Sequence, residues 1–189
     1  MKQLPFLLTA TLIFGLVYCG QAQSATSPDG KWVVFVKRVS GPLIEYGGRQ
    51  ARGADPDQPT ELWQIDSNGK NPTQLVKCRQ TDDMRTTIVG FENLHFSSDG
   101  RLVYFDSFVW SRNGAVHVVD TTNCKEHFIC DGFLEDVQQS ESGDLLVVSK
   151  GEYIPPRPQW FNAIPDYYQT FLLSLDGREI KPIGEKQYP

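Results

Sequence analysis

Histidine is scarce in this sequence, three residues in 189. None of them, His95, His117 or His127, stands at the His-Glu-x-x-His or His-x-His spacing that gathers a metal ion. A Gly-x-Ser-x-Gly elbow and a phosphate-cradling glycine loop are missing too, which removes the usual signatures of serine hydrolases and nucleotide binders. After Val17 no apolar run approaches the roughly 20 residues of a membrane-spanning helix. Basic charge is not concentrated anywhere: 18 Lys and Arg lie scattered among 23 Asp and Glu, for a net charge of -5. The chain therefore carries no electrostatic footprint for nucleic acid or an anionic membrane. Asp55, Asp57 and Glu61 lack the ligand alternation and the glycine of a calcium loop and read as a solvated stretch. No cofactor, no metal and no catalytic residue is expected, and each histidine reads as a sheet residue.

The N-terminus has the grammar of export. Lys2 supplies a positive start, Leu4 to Val17 is an uncharged apolar run, and Ala22-Gln23-Ser24 offers a small-x-small cleavage pattern. Residues 1–24 are thus expected to be a signal peptide and 25–189 the mature domain, periplasmic or secreted. A lipoprotein acylated at Cys19 is the alternative, since Leu16-Val17-Tyr18-Cys19 resembles a lipobox, but the bulky Tyr18 disfavours it. The roughly 165 residues left suffice for one domain with a real core and hardly for two. Three cysteines remain, Cys78, Cys124 and Cys130. An oxidising compartment permits one disulfide among them, of unspecified pairing, and leaves one thiol over. Two could instead sit unpaired as small buried hydrophobes, and a thiol beside a histidine could act as a nucleophile.

An internal repeat organises the rest. Ser27-Pro28-Asp29-Gly30 precedes the strand-like Lys31 to Lys37, Ser97-Ser98-Asp99-Gly100 precedes Arg101 to Asp106, and Ser140-Glu141-Ser142-Gly143 precedes Asp144 to Lys150. Each turn combines side chains that bond their own backbone with a glycine that accepts positive φ, and each following run has the β-branched and aromatic content of a strand. A hairpin follows each: Glu61 to Asp66 with Thr73 to Lys77, Ala115 to Asp120 with Lys125 to Ile129, and Thr170 to Leu175 with Glu179 to Ile183. Asn93 to Phe96 and Leu134 to Gln138 supply one more strand upstream of the second and third turns. The expected fold is all-β, about three antiparallel, propeller-like blades of four strands.

Ser-Pro-Asp-Gly-Lys before Trp32-Val33-Val34-Phe35, then Leu62-Trp63-Gln64-Ile65-Asp66 with Asn68-Gly69 and Gln74-Leu75-Val76, resembles a blade of the TolB-like β-propeller (WD40-like repeat) family. The resemblance implies a fold and little about function, because such blades serve translocation accessories and peptidase gating domains alike. A closed propeller takes about four to eight blades, so three imply an incomplete, open one. The first blade has little but Ala25 and Thr26 for an innermost strand, and Lys181 to Tyr188 is a candidate to complete it. Open sheet edges invite a homodimer or a protein partner. Trp32 and Trp63, as strand residues, are expected in the core.

In blade geometry the connections between second and third strands emerge at one end, here Val39 to Pro59, Ser107 to Gly114 and Gly151 to Tyr168. They carry Tyr46, Arg49 and Arg52; Phe108, Trp110 and Arg112; Tyr153, Trp160, Phe161, Tyr167 and Tyr168. Aromatic and Arg enrichment marks protein-binding hot spots; some rings, Trp160 and Phe161 among them, could instead roof the sheet ends. The stretch Phe96-Ser97-Ser98-Asp99-Gly100-Arg101 through Ser111, Val118-Val119-Asp120 and Asn123-Cys124-Lys125, together with Asp66 to Cys78, is also similar to periplasmic immunity proteins that block type VI-secreted peptidoglycan amidases. That similarity implies a middle-repeat loop plugging the toxin through a serine, the position of Ser111. The expected function is a non-catalytic exported module that binds a protein of the cell envelope through these loops. An immunity protein against a secreted cell-wall hydrolase, and a small enzyme or ligand binder with a loop-built pocket, stay open beside it.

Overall fold

The computed structural model describes residues 23–39, 60–83, 85–109, 113–140, 143–152 and 167–187, the side chains of 108, 109, 113, 152 and 185–187 excepted. Twelve strands and no helix occur among them. The first sheet is the meander β1 (Ser24–Thr26), β2 (Trp32–Arg38), β3 (Thr60–Asp66) and β4 (Thr73–Lys77). The second is β5 (Glu92–Phe96), β6 (Leu102–Val109), β7 (Asn113–Asp120) and β8 (Lys125–Asp131). The third is β9 (Phe133–Ser140), β10 (Gly143–Glu152), β11 (Tyr167–Leu173) and β12 (Glu179–Gln187). All pairings are antiparallel between chain neighbours, and β1 lies against β5 and β5 against β9. Three successive four-stranded sheets, joined along their first strands, are propeller-like blades.

Local chemistry sets the turns. The Ser27 hydroxyl donates to Asp29 Oδ1 (2.7 Å) and accepts from Trp32 N (2.9 Å), while Asp29 Oδ1 also accepts from Lys31 N (3.1 Å). Ser97, Asp99, Arg101 and Leu102 repeat the same set at 2.6, 3.0 and 2.8 Å. Gly30 and Gly100 have φ of 69° and 72°, a region costly for side chains with a Cβ. The Lys31 ammonium, the Ser27 hydroxyl and the Lys31 N–H together lower the Asp29 carboxyl to about 2. The β11–β12 turn uses the grammar a third time, Ser174 bonding Asp176 and Gly177 at φ 80°. A Cβ on Gly177 would meet the Ile129 carbonyl at 2.5 Å, so this turn is seated on the second sheet.

Two departures from expectation follow from strand register. The first sheet draws its innermost strand from Ser24–Thr26, with Ala25 opposite Val34 and Val36 N donating to the Gln23 carbonyl at 3.1 Å. Residues 181–187 do not complete that sheet: Lys181 and Ile183 pair with Leu172 and Thr170, which places the segment at the outer edge of the third. The fold thus holds an unclosed row of three sheets among the described residues.

The sheets are joined by two separate apolar clusters. Val34, Leu62, Leu75 and Val76 of the first sheet meet Val103, Phe105 and Val119 of the second, with Ile88 and Phe91 between them. Tyr104, Val116, Val118 and Cys130 on the opposite face of the second sheet meet Leu134, Leu146, Val148 and Leu173 of the third. Side chains alternate across a strand, so Val103 and Phe105 face one neighbour and Tyr104 the other. Trp32 and Trp63 are half-buried and in neither cluster, against the expectation of core positions.

The first joint also contains charge. Glu126 of β8 bonds His117 Nδ1 at 2.6 Å and pairs with Arg79, which follows β4. His117 is stacked on Phe105 at 5.4 Å and edge-on to Phe128 at 5.8 Å. Burial pushes the Glu126 carboxyl up, but bonds from His117 and Arg79 outweigh it and the net shift is down. The Glu126 and His117 side chains are 8 % and 0 % exposed, whereas that of Arg79 is 40 % exposed. Removing the carboxylate would orphan a buried imidazole, whereas removing Arg79 leaves it partnered. In urea unfolding at pH 7, Glu126→Ala is therefore expected to lose about 3 kcal/mol and Arg79→Ala under about 1 kcal/mol; equal losses would contradict this assignment.

Candidate binding face

The second-to-third-strand connections leave the three sheets at equivalent ends. The last pairs before them are Arg38 with Thr60, Val109 with Asn113, and Glu152 with Tyr167. Most of the residues expected to bind lie outside the described residues: Tyr46, Arg49 and Arg52, Trp110, Ser111 and Arg112, and Tyr153, Trp160 and Phe161. Phe108 is placed by its backbone near the end of β6, opposite Gly114. Tyr167 and Tyr168 open β11, opposite Glu152 and Gly151. Loop 110–112 is shorter than the Ser107 to Gly114 expected, because β6 and β7 pair through Ser107–Ala115 and Phe108–Gly114.

The root of that middle loop is the most constrained polar place in the described structure. Asp106, 2 % exposed, accepts the Leu134 N–H at 2.8 and 3.1 Å and the Asn93 side-chain amide at 2.7 Å. One carboxylate thereby ties β6 to β5 and, across the sheet boundary, to β9. Beside it the fully buried Ser107 hydroxyl accepts the Val89 N–H at 2.9 Å. Gly114, at the start of β7, packs so closely that a Cβ would lie 2.3 Å from the Gly132 carbonyl and 2.6 Å from the Phe133 ring. Gly132 N donates to the Gly114 carbonyl at 2.9 Å, closing the same corner. A buried, satisfied polar network of this kind rigidifies its surroundings.

Burial pushes the Asp106 carboxyl up to about 7, against the lowering effect of the Leu134 N–H and the Asn93 amide; Glu92 and Glu135 add to the rise. Neither an apolar alternation nor a loop signal revealed this residue. The available sign was a polar pair, Asp106-Ser107, followed at once by Phe108-Val109-Trp110.

The cysteines among the described residues form no disulfide. Cys78, Cys124 and Cys130 are free thiols. Cys130 lies opposite Val116 at one end of the β7–β8 hairpin while Cys124 sits in its turn at the other end. That separation of several residues at about 3.3 Å each exceeds the roughly 7 Å Cα reach of a bridge. Cys78 follows β4, its thiol 3.2 Å from the Thr60 hydroxyl. Burial pushes Cys78 up and Cys130 up to about 12, the reverse of the lowered pKa that makes a thiol nucleophilic. Cys130 behaves as a buried hydrophobe in the second cluster, and the half-buried Cys78 packs against the first. The described residues contain no group of three or more metal-ligating side chains and no helix long and apolar enough to cross a membrane. His95, His117 and His127 all lie in strands, β5, β7 and β8.

No protein-family model and no curated protein sequence matches this chain. Solved structures do. The chain is similar to Porphyromonas gingivalis dipeptidyl peptidase 4 at 10% identity and a TM-score of 0.50, covering 86% of this chain and 24% of that one. It is also similar to the β-propeller domain of the Trilobed protease from Pyrococcus furiosus, described as an open velcro topology (17%, TM-score 0.47, 87% and 44%). TolB from Acinetobacter baumannii gives 14% identity, a TM-score of 0.36, and coverage of 85% and 42%. The chain spans less than half the length of each of these proteins. At these identities the likeness is one of fold, a β-propeller module, and it lends no support to the immunity-protein resemblance.

The raised Asp106 pKa has a defined sign. The folded chain holds this proton more tightly than the unfolded one, so the group's effect on stability becomes unfavourable as pH rises through about 4 and reaches its full cost above about 7. The stability of Asp106→Asn relative to wild type is therefore expected to improve by up to roughly 4 kcal/mol between pH 4 and pH 8, read by urea unfolding at each pH. Parallel pH profiles would show that the carboxyl is not held this way.

Proposed function

We propose that this chain is a non-catalytic, exported module that binds a protein of the cell envelope through the connections between the second and third strands of its blades. One observation carries the reading: the middle connection is rooted on a buried carboxylate that clamps three strands in two sheets. Binding surfaces gain from loops held in place before the partner arrives, because less ordering entropy is lost on association. Phe108, Trp110 and Arg112 occupy that root and its loop, and Trp and Arg are the residue types that dominate binding hot spots. By sequence, Tyr46 and Arg49 belong to the first connection and Tyr153 and Trp160 to the third, which Tyr167 ends at the start of β11. Export rests on the leader grammar of residues 1–24. Because β1 begins at Ser24 and the Gln23 carbonyl bonds Val36, a cut after Ala22 keeps the first sheet whole better than one after Ser24.

A catalytic role is less well served, since burial raises two of the three described thiols and His117 is engaged in a joint between sheets. The immunity reading is the special case in which the partner is a secreted cell-wall hydrolase and Ser111 enters its active site.

The test is affinity capture by the tagged chain from the periplasm of its own host, followed by titration of each captured protein with wild type and variants. Trp110→Ala is expected to weaken the true partner by roughly 30-fold or more, and Asp106→Ala to weaken it while Trp110 is intact. A hydrolase whose activity is blocked by wild type but not by Ser111→Arg would establish the immunity case. Unchanged affinity for every captured protein after Trp110→Ala with Ser111→Ala would contradict binding through the middle loop.

A further inference from the structure

Among the described residues, the two terminal sheets each keep a face that meets no neighbouring sheet. The repeat aligns Val33, Val34 and Phe35 of β2 with Val103, Tyr104 and Phe105 of β6, six to eight residues after the turn serines Ser27 and Ser97. In the second sheet, Val103 and Phe105 pack on the preceding sheet and Tyr104 on the following one. In the first sheet Val34 likewise packs on the following sheet, which leaves Val33 and Phe35, with Ile65 and Trp63 directly opposite them, on the face that would meet a preceding sheet. Those four side chains are half-buried and belong to neither apolar cluster. Among the described residues, Lys37, 4.6 Å over the Trp63 ring, and Glu61, accepting its indole N–H at 2.8 Å, engage Trp63 there.

The third sheet mirrors this. Leu146 and Val148 pack on the second sheet, so Leu145 and Val147, with Leu172 opposite Val147, form the face that would meet a following sheet. None of the three joins a cluster, although Val147 is only 7 % exposed. The first sheet thus presents the kind of face that the second uses toward the first, and the third presents the kind that the second uses toward the third.

We infer that a second copy of this chain covers both faces, the third sheet of each copy packing on the first sheet of the other to close a six-bladed ring. A second copy is the occupant because the two open faces are the two unlike halves of one blade joint. Any other protein would need to carry both halves at the right spacing, whereas this chain carries them by construction. The joint continues the interface that already links sheets one to two and two to three. Six blades fall within the range of about four to eight that closed propellers use, and a two-fold axis forms both joints at once. The contact is through sheet faces, not through the open strand edges that the sequence suggested. The proposal does not depend on what the loops bind.

Sedimentation equilibrium of the exported chain over a wide concentration range tests it. The expected result is twice the mass of one chain. Phe35→Glu and Leu172→Glu are each expected to give monomers with an unchanged β-type circular-dichroism spectrum. An equimolar mixture of the two variants is expected to recover dimer, since one of its two joints is then free of substitutions. A wild-type monomer at every concentration overturns the proposal, and it does so even if the variants fail to fold. A dimer insensitive to Leu172→Glu, or a mixture that stays monomeric, means that the faces do not pair in this way and also overturns it.

Discussion

A four-stranded sheet with apolar side chains on both faces needs a neighbour on each side. Every other feature of this molecule follows from that requirement. Strand period two sends Val103 and Phe105 one way and Tyr104 the other, and both directions must be dry. The second sheet satisfies the condition completely, with one apolar cluster on each face. The two joints differ in what they add to burial. The first includes a charged group, Glu126 between His117 and Arg79, and the second includes the Asp106 carboxylate reaching the Leu134 N–H. Buried polar groups of this sort do more for alignment than for net stability, so each joint has a device that fixes the rotation of one sheet on the next.

How much of this could be read from the sequence depended on how local the chemistry was. The Ser-x-Asp-Gly turns were legible because their bonds lie within five residues, and with the third glycine turn, the hairpins and the two upstream strands they set eleven of the twelve described strands in order. The ends of strands were read less well where polar residues sit inside the sheet. Asp106-Ser107 looks like a strand terminus, yet both side chains are buried and bonded to Leu134, Asn93 and Val89, so β6 runs on to Val109. Those partners are 13 or more residues away along the chain and leave no local pattern. The same non-locality hid the Glu126 network. β1 was visible only as Ala25 and Thr26, because a three-residue strand has too few positions to show alternation.

Composition misled in two places. Trp32 and Trp63 look like core residues because they lie in strands, but repeat position puts Trp63 on the face that meets no other described sheet, where it contacts Lys37 and Glu61. Three cysteines after an export-like leader suggest a bridge, but two of them serve packing, and the third sits in an exposed turn at φ 57°. The binding face, by contrast, was inferred from the types of residue in the connections, and the described structure speaks to its roots, not to its tips.

The central claim is that the faces of the first and third sheets that look away from the second are blade joints. A crystal structure of the exported chain tests this most directly. The account predicts that Val33, Phe35, Trp63 and Ile65 of one copy lie in contact with Leu145, Val147 and Leu172 of another, with six sheets around one axis. Finding that face of the first sheet covered by the chain's own residues 40–59 or 153–166 would contradict it.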